Sequence, residues 1–496
     1  MLYYDERMIH MKLRILSLLL ACLALLSLVA CSVTPETTLN TTDAEQTTAV
    51  DIEEGDEVPF PDVDKQDYKG EDFLIISINN AGTWMYGDPD TYGKGSGNDQ
   101  VINDVLYEMN TLVEDHLGIE IKYEYVQHVT GGKVIFDKVN PTVLSGDDVY
   151  QACILPAYRN VAAFVTENCC LDFYELDDVD LDKPYWNREV IESLEISDHA
   201  YIAAGDICRY QAWPIYANKD MLEMVGRSVP YDKVRNGTWT FEEFVALTTE
   251  LYADNGDGKI NNKDVFGFAA LWDVGANCFT QAVDVQIVTR DEDGAFEMTM
   301  YNDRFVDFYG KLLNWSKDEG VWLWKYNDRN KEDVFVNFLD KTAYFTQDSL
   351  GTQYLEAEFS VGILPLPKYD VTQAEYAHCN WGDNLCVPVT VKNTAMVGQA
   401  LELMAYYSRT MVMPKYYDDV LQLRVSDAPD DREMVELIFD TMVFDPGIAY
   451  CDGDSSLFNL VYLPTNCVLQ EMESISSYYT RNEKAASRFL GQKIYK

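Results

Sequence analysis

Phe73-Leu74-Ile75-Ile76-Ser77-Ile78 is a short apolar run, and Ile119-Glu120-Ile121-Lys122-Tyr123-Glu124-Tyr125 alternates apolar with polar side chains. The first is the pattern of a strand buried on both faces, the second that of a strand with one face in the core. Between them Val101, Ile102, Val105, Leu106, Met109, Leu112 and Val113 mark one face of a helix. Gly118 stands where a helix ends in a left-handed residue. Strand, helix, strand is the unit of an open α/β sheet, and Val149 to Leu155 reads as a third strand.

Outward from this unit, Trp239-Thr240-Phe241-Glu242-Glu243-Phe244 opens the best-written helix. Thr240 can cap it, Glu243 can reach back to complete a capping box, and Trp239 and Phe244 have the spacing of a hydrophobic staple. Ala343 to Thr346, Val361 to Leu364 and Cys386 to Val391 read as strands, and Ala395 to Tyr407 as a helix.

The chain has 496 residues, 47% of them hydrophobic, which suits two α/β lobes better than one domain. Its 33 Tyr and 9 Trp fit a well-packed core and also a sugar-stacking cleft. A formal net charge of −45 repels nucleic acids and anionic lipid head groups, so no nucleic-acid partner is expected. Eleven Cys are present without a CxxC pair, which argues against a zinc ribbon or a thioredoxin site. Reduced thiols and an anaerobic setting are expected for them.

At the start, Met11-Lys12-Leu13-Arg14 supplies positive charge and Ile15 to Val29 an apolar run. The run is short for a membrane span and right for a signal peptide over residues 1–30. Asp5 and Glu6 are foreign to such a segment, so translation is expected to start at Met8 or Met11. The run ends in Leu28-Val29-Ala30-Cys31, which resembles the lipobox of bacterial lipoproteins. That resemblance implies cleavage before Cys31 and lipidation of its sulfur, palmitate included. It places the chain on the extracellular face of the cell membrane, or in the periplasm of a Gram-negative cell. Residues 31–67, Thr-rich and then acidic, are expected to be a flexible tether.

The middle of the chain resembles the extracellular solute-binding proteins of ABC importers (family 1, the class containing the maltose-binding protein). The residues that carry the likeness are Trp213-Pro214-Ile215-Tyr216-Ala217-Asn218-Lys219-Asp220-Met221-Leu222, Gly226, Pro230 and Gly237-Thr238-Trp239-Thr240-Phe241-Glu242-Glu243-Phe244. Leu181-Asp182-Lys183-Pro184-Tyr185-Trp186-Asn187, Ala204-Gly205-Asp206 and Val361-Gly362-Ile363-Leu364-Pro365-Leu366-Pro367 agree with it. Ala217 is an insertion into the usual Tyr-Asn-Lys wording, and Asp340 and Tyr344 replace an expected Gly and Met.

The resemblance implies a two-lobed periplasmic-binding-protein-like fold of type II, its lobes joined by hinge strands around a central cleft. The expected division is an N-terminal lobe of residues 68–212 and 343–409 and a C-terminal lobe of residues 213–342 and 410–496. The implied partners are a small solute and the importer's permease subunits, with contact to the membrane through the lipid alone. A sugar is favoured and a peptide is the alternative; the receptor is expected to act as a monomer.

A sugar needs aromatic faces and side chains that both donate and accept hydrogen bonds. Candidate ligand contacts are Trp84, Asp206, Trp213, Tyr216, Trp272, Asp348, Trp381 and Asp383. Ala253 to Asp264 resembles a calcium loop of the EF-hand or dockerin kind. Asn255, Asp257, the Lys259 carbonyl, Asn261 and Asp264 fall at ligand positions around Gly258, with Ala253 where an Asp is expected. Calcium is the one candidate cofactor and none is required. The five His form no HExxH, and there is no GxSxG elbow or phosphate loop, so catalysis is not expected. The rival reading is a secreted, surface-tethered glycoside hydrolase.

Overall fold

The opening apolar run becomes β1, Glu71–Asn79, and it pairs in parallel along its whole length with β2, Ile119–Gln127. In this computed structural model, residues 58–79, 100–127, 133–156, 159–208, 210–261, 263–271, 275–324, 338–350, 357–416 and 429–493 are described. The signal segment, Cys31, the tether up to Glu57, Trp84 and Trp272 lie outside the described residues. The helix Gln100–Leu117 joins β1 to β2 and stops at Gly118, whose φ of +65° is open to glycine at no steric cost.

The remaining strands are β3 (Ala152–Pro156), β4 (Ile215–Asn218), β5 (Phe266–Leu271), β6 (Val288–Arg290), β7 (Phe296–Met298), β8 (Val321–Trp324), β9 (Ala343–Gln347), β10 (Val361–Leu364), β11 (His378–Cys379), β12 (Asp383–Cys386) and β13 (Met442–Val443). They build two main sheets, ordered β12-β3-β1-β2 and β10-β4-β9-β5-β8. β1, β2 and β3 run parallel, and β12 closes one edge antiparallel to β3. The helices Gln100–Leu117 and Thr394–Tyr407 share one apolar core on the first sheet.

β9 and β10 therefore lie in the second sheet, and the chain returns to the first between Leu364 and Asp383, not near Ala343. The segment Ser408–Lys415 also packs into the first core, through Val412 and Met413, so the last crossing comes after Tyr416. The strand expected from Cys386 to Val391 is displaced and ends at Cys386. Beyond it the chain changes partner: Pro388 bridges Cys170, with Leu171 N on Val387 O and Val389 N on Cys169 O, both at 2.8 Å.

Helix Phe241–Thr249 starts as its sequence indicates: Trp239 and Phe244 rings meet at 5.8 Å, and Thr240 accepts from Glu243 N at 3.4 Å. The capping box is one-sided, because the Glu243 carboxylate pairs with Lys233 instead. Trp239 Nε1 donates to Pro365 O at 2.9 Å, which ties this helix start to the turn after β10. At the far end, β5 runs so close that a Cβ on Gly267 would lie 1.8 Å from Thr248 O.

The tether is ordered earlier than its composition suggests. Gln66 N and Tyr68 N bond to His116 O and Leu117 O, Val63 is buried, and the Phe60 ring sits 5.2 Å from Tyr406. Two apolar residues in an acidic stretch are enough to seat it. All nine Cys from Cys153 to Cys467 are buried thiols, none in a disulfide.

Candidate functional site

Two passes of chain link the sheets side by side, residues 210–214 going out and 380–382 coming back. Trp381 N bonds to Gln211 O at 3.0 Å. The Asn380 carboxamide oxygen accepts from Gln211 N at 2.8 Å and from Gly382 N at 2.9 Å, so one side chain holds both passes. On the other flank Leu350 N bonds to Ala212 O, Tyr216 OH to Ser349 O and Gln347 Nε2 to Trp213 O. The result is a hydrogen-bonded floor between the lobes, made of residues far apart in sequence.

Two polar atoms of this floor are shielded from water and unpaired: Trp213 Nε1, a donor, and Gln347 Oε1, an acceptor. Gln347 is 2% exposed. Unpaired buried polar groups are costly, so a donor and an acceptor left unpaired on two residues joined by the Gln347 Nε2–Trp213 O bond call for an explanation. Hydroxyl groups offer a partner to either kind, since they donate and accept.

On the first-lobe side Asp206 is buried and meets Arg409 Nη1 at 3.4 Å. Burial lifts the Asp206 carboxyl to about 6, and the Arg409 guanidinium pulls the other way. Arg409 stands on a π-helical turn, Ser408–Val412, a form of helix that recurs at functional sites. Asp383 is also buried, and both it and Asp206 act on the Cys208 thiol. On the other side an aromatic ladder climbs outward: Trp381 to Tyr462 at 6.0 Å, then Tyr462 to Phe458 at 4.7 Å. Phe458 is exposed.

Of the residues singled out from sequence, Asp206, Trp213, Asp348 and Asp383 lie on or beside this floor. Tyr216 and Trp381 are nearly devoid of exposed surface, so they support the floor from inside the core. Gln211, Asn380, Arg409, Phe458 and Tyr462 join the site with no sequence signal to mark them.

The calcium-like loop is an Asx-bonded turn. Asp264 is fully buried, and its carboxylate accepts from Asn255 N, Asn261 N and Tyr252 OH. Burial alone would raise its pKa, but these three donors outweigh that and hold it low. Asp257 accepts from Lys259 N and Asn261 Nδ2. With Ala253 at the first position and most of the Asp264 lone pairs spent, these residues fit a self-bonded turn better than an ion cage. Among the described residues no three His, Cys, Asp or Glu side chains are arranged to hold a metal. No described helix is long and apolar enough to cross a membrane.

No protein-family profile matches the chain, and no curated sequence matches it. Solved structures do. An ABC substrate-binding protein from Listeria monocytogenes in complex with cycloalternan aligns with a TM-score of 0.54 at 15% identity, over 84% of this chain and 99% of that one. The GacH receptor of Streptomyces glaucescens, known unliganded and with acarbose, aligns at 0.56 and 14% identity, over 85% and 99%. An ABC transporter solute-binding protein from Agrobacterium radiobacter K84 in complex with ribitol aligns at 0.52 and 12%, over 85% and 100%. The likeness covers most of the chain, and it establishes the two-lobed, type II periplasmic-binding-protein fold.

Proposed function

We propose that a chain with this two-lobed fold is the solute receptor of an ABC importer, and that it takes up an oligosaccharide or sugar derivative by closing its lobes. The observation that carries the reading is the floor between the lobes. There an unpaired donor on Trp213 and an unpaired acceptor on Gln347 lie within a frame of buried carboxylates and aromatic rings. Ring C–H groups stack on aromatic faces, and hydroxyls need partners of both kinds. Lobe closure would exclude water and shift an equilibrium between open and closed forms.

The proposed first lobe comprises residues 68–208 and 383–416, and the second 215–364 and 429–493. Cleavage before Cys31 and a lipid on its sulfur would anchor the chain outside the cell, beside its permeases. No catalytic step is assigned.

A thermal-shift screen against malto-oligosaccharides, polyols and then peptides tests the reading. A ligand at one hundred times its Kd stabilises by about 2.7 kcal/mol, which shows as a rise of several degrees in Tm. Conversion of the same ligand to product within hours would instead support the hydrolase. No shift with any sugar would remove the proposed ligand class.

Gln347→Leu probes the floor itself. It deletes the unpaired acceptor together with the Nε2 bond to Trp213 O, so unfolding of the free protein should cost about 1 kcal/mol less, the net worth of that one bond. Affinity for the solute found in the screen is expected to fall about tenfold by calorimetry, the worth of one buried hydrogen bond. Unchanged affinity would place the ligand elsewhere.

A further inference from the structure

Away from the two crossings, a second set of contacts joins the lobes. The hairpin β6–β7 belongs to the second lobe, between the helices Gly275–Ala282 and Asp303–Trp315. The Asp445 carboxylate accepts from Ile287 N at 2.6 Å and Val288 N at 3.2 Å, so the hairpin and residues 445–453 form one body. Thr465 Oγ1 to Asn277 Oδ1 at 3.1 Å fastens the segment that follows to the same lobe.

This body grips two helices of the first lobe at opposite poles. The helix Arg188–Leu194 is held to the first lobe by Asn187 N to Ala204 O. Its last carbonyls point at Arg290, whose Nη2 reaches Glu192 O at 2.9 Å, Ser193 O at 3.2 Å and Glu195 O at 2.5 Å. Tyr450 OH takes the Leu194 carbonyl at 2.7 Å. Arg290 is itself braced, by Nη1 to Gly294 O at 2.6 Å and by the Phe296 ring 4.7 Å beneath it. The helix Val161–Thr166 follows β3, and its first N–H groups point at Asp452. Asn160 N donates to Oδ2 at 2.5 Å and Ala162 N to Oδ1 at 3.3 Å.

We propose that Arg290, Tyr450 and Asp452 are a clasp that holds the lobes together before any solute arrives. A cation meets the carbonyl end of one helix and an anion the N–H end of another, the favourable sense for both helix dipoles. Each grip satisfies backbone groups that the helix cannot satisfy itself. Holding the lobes in one relation before binding raises apparent affinity where that relation is the competent one, and lowers it where it is not.

The clasp is tested without solute, so the result is independent of what the receptor binds. Spin labels at Leu144→Cys in the first lobe and Met224→Cys in the second, both strongly exposed positions, report the distance between lobes. The nine thiols from Cys153 to Cys467 are buried and stay unlabelled in the folded protein, and Cys22→Ser and Cys31→Ser remove the other two. Arg290→Ala and Asp452→Ala should each lower the ratio of clasped to released arrangements about fivefold, the worth of one helix cap, and together shift and broaden the distance distribution. Asp452→Asn keeps an acceptor without the charge and should fall between, and it decides the matter if the double variant fails to fold. A distance distribution in Asp452→Asn and in the alanine variants identical to that of the parent overturns the proposal.

Discussion

Asp445→Ala is expected to lower the free energy of unfolding by about 3–6 kcal/mol, the sum over three buried backbone N–H groups left without a partner. Asp445 accepts from Ile287 N, Val288 N and Gly447 N, and Gln281 Nε2 adds a fourth bond. It thereby joins a buried helix, the β6–β7 hairpin and the start of the C-terminal helices. Burial lifts its carboxyl to about 6 in spite of these donors. A folded-state pKa above the unfolded one means that the folded chain takes the proton first. This group therefore favours folding more as pH falls from about 6 through the ordinary carboxylate range. Asp445→Asn keeps an acceptor oxygen and should cost far less than the alanine change in urea denaturation at pH 7. Equal losses in the two variants would show that packing, not the N–H groups, decides.

His378→Gln separates a second proton-linked group by its opposite sign. His378 is buried, its Nε2 accepts from Leu366 N at 3.0 Å, and its Nδ1 faces Thr441 Oγ1 at 2.8 Å. Burial holds its pKa at about 3, far below the ordinary 6.5. Here the unfolded chain takes the proton first, so stability is complete above about pH 6.5 and is lost as pH falls toward 3. Between pH 7 and pH 4 the parent should lose about 3 kcal/mol through this group, and the Gln variant none. Contributions from Asp445 and Asp206 are common to both proteins and cancel in the difference. A gap between parent and variant that stays constant over that range would contradict the assignment.

Local patterns carried the sequence reading as far as local forces reach. The β1–helix–β2 unit followed from side-chain period, and the Trp239–Phe244 staple from spacing alone, because both are contacts between near neighbours. The floor between the lobes was illegible for the opposite reason. Asn380 holds Gln211 across 169 positions, and neither residue type signals such a partner. An aromatic side chain does not announce which way it faces, and Tyr216 and Trp381, expected among the ligand contacts, are almost without exposed surface. The strand β12 begins with Asp383 and Asn384, polar residues that hid it from an apolar search. The sheet membership of β9 and β10 depends on pairing with β4, which no single stretch of sequence encodes.

The burial of all nine described sulfhydryls has a further bearing on how the protein ages in air. Burial raises the Cys467 thiol to about 11 and the Cys169 thiol to about 12, so at neutral pH these two carry almost no thiolate to be oxidised or alkylated. Chemical damage at these thiols must then wait for the chain to unfold, so in air it follows the unfolding rate of the protein.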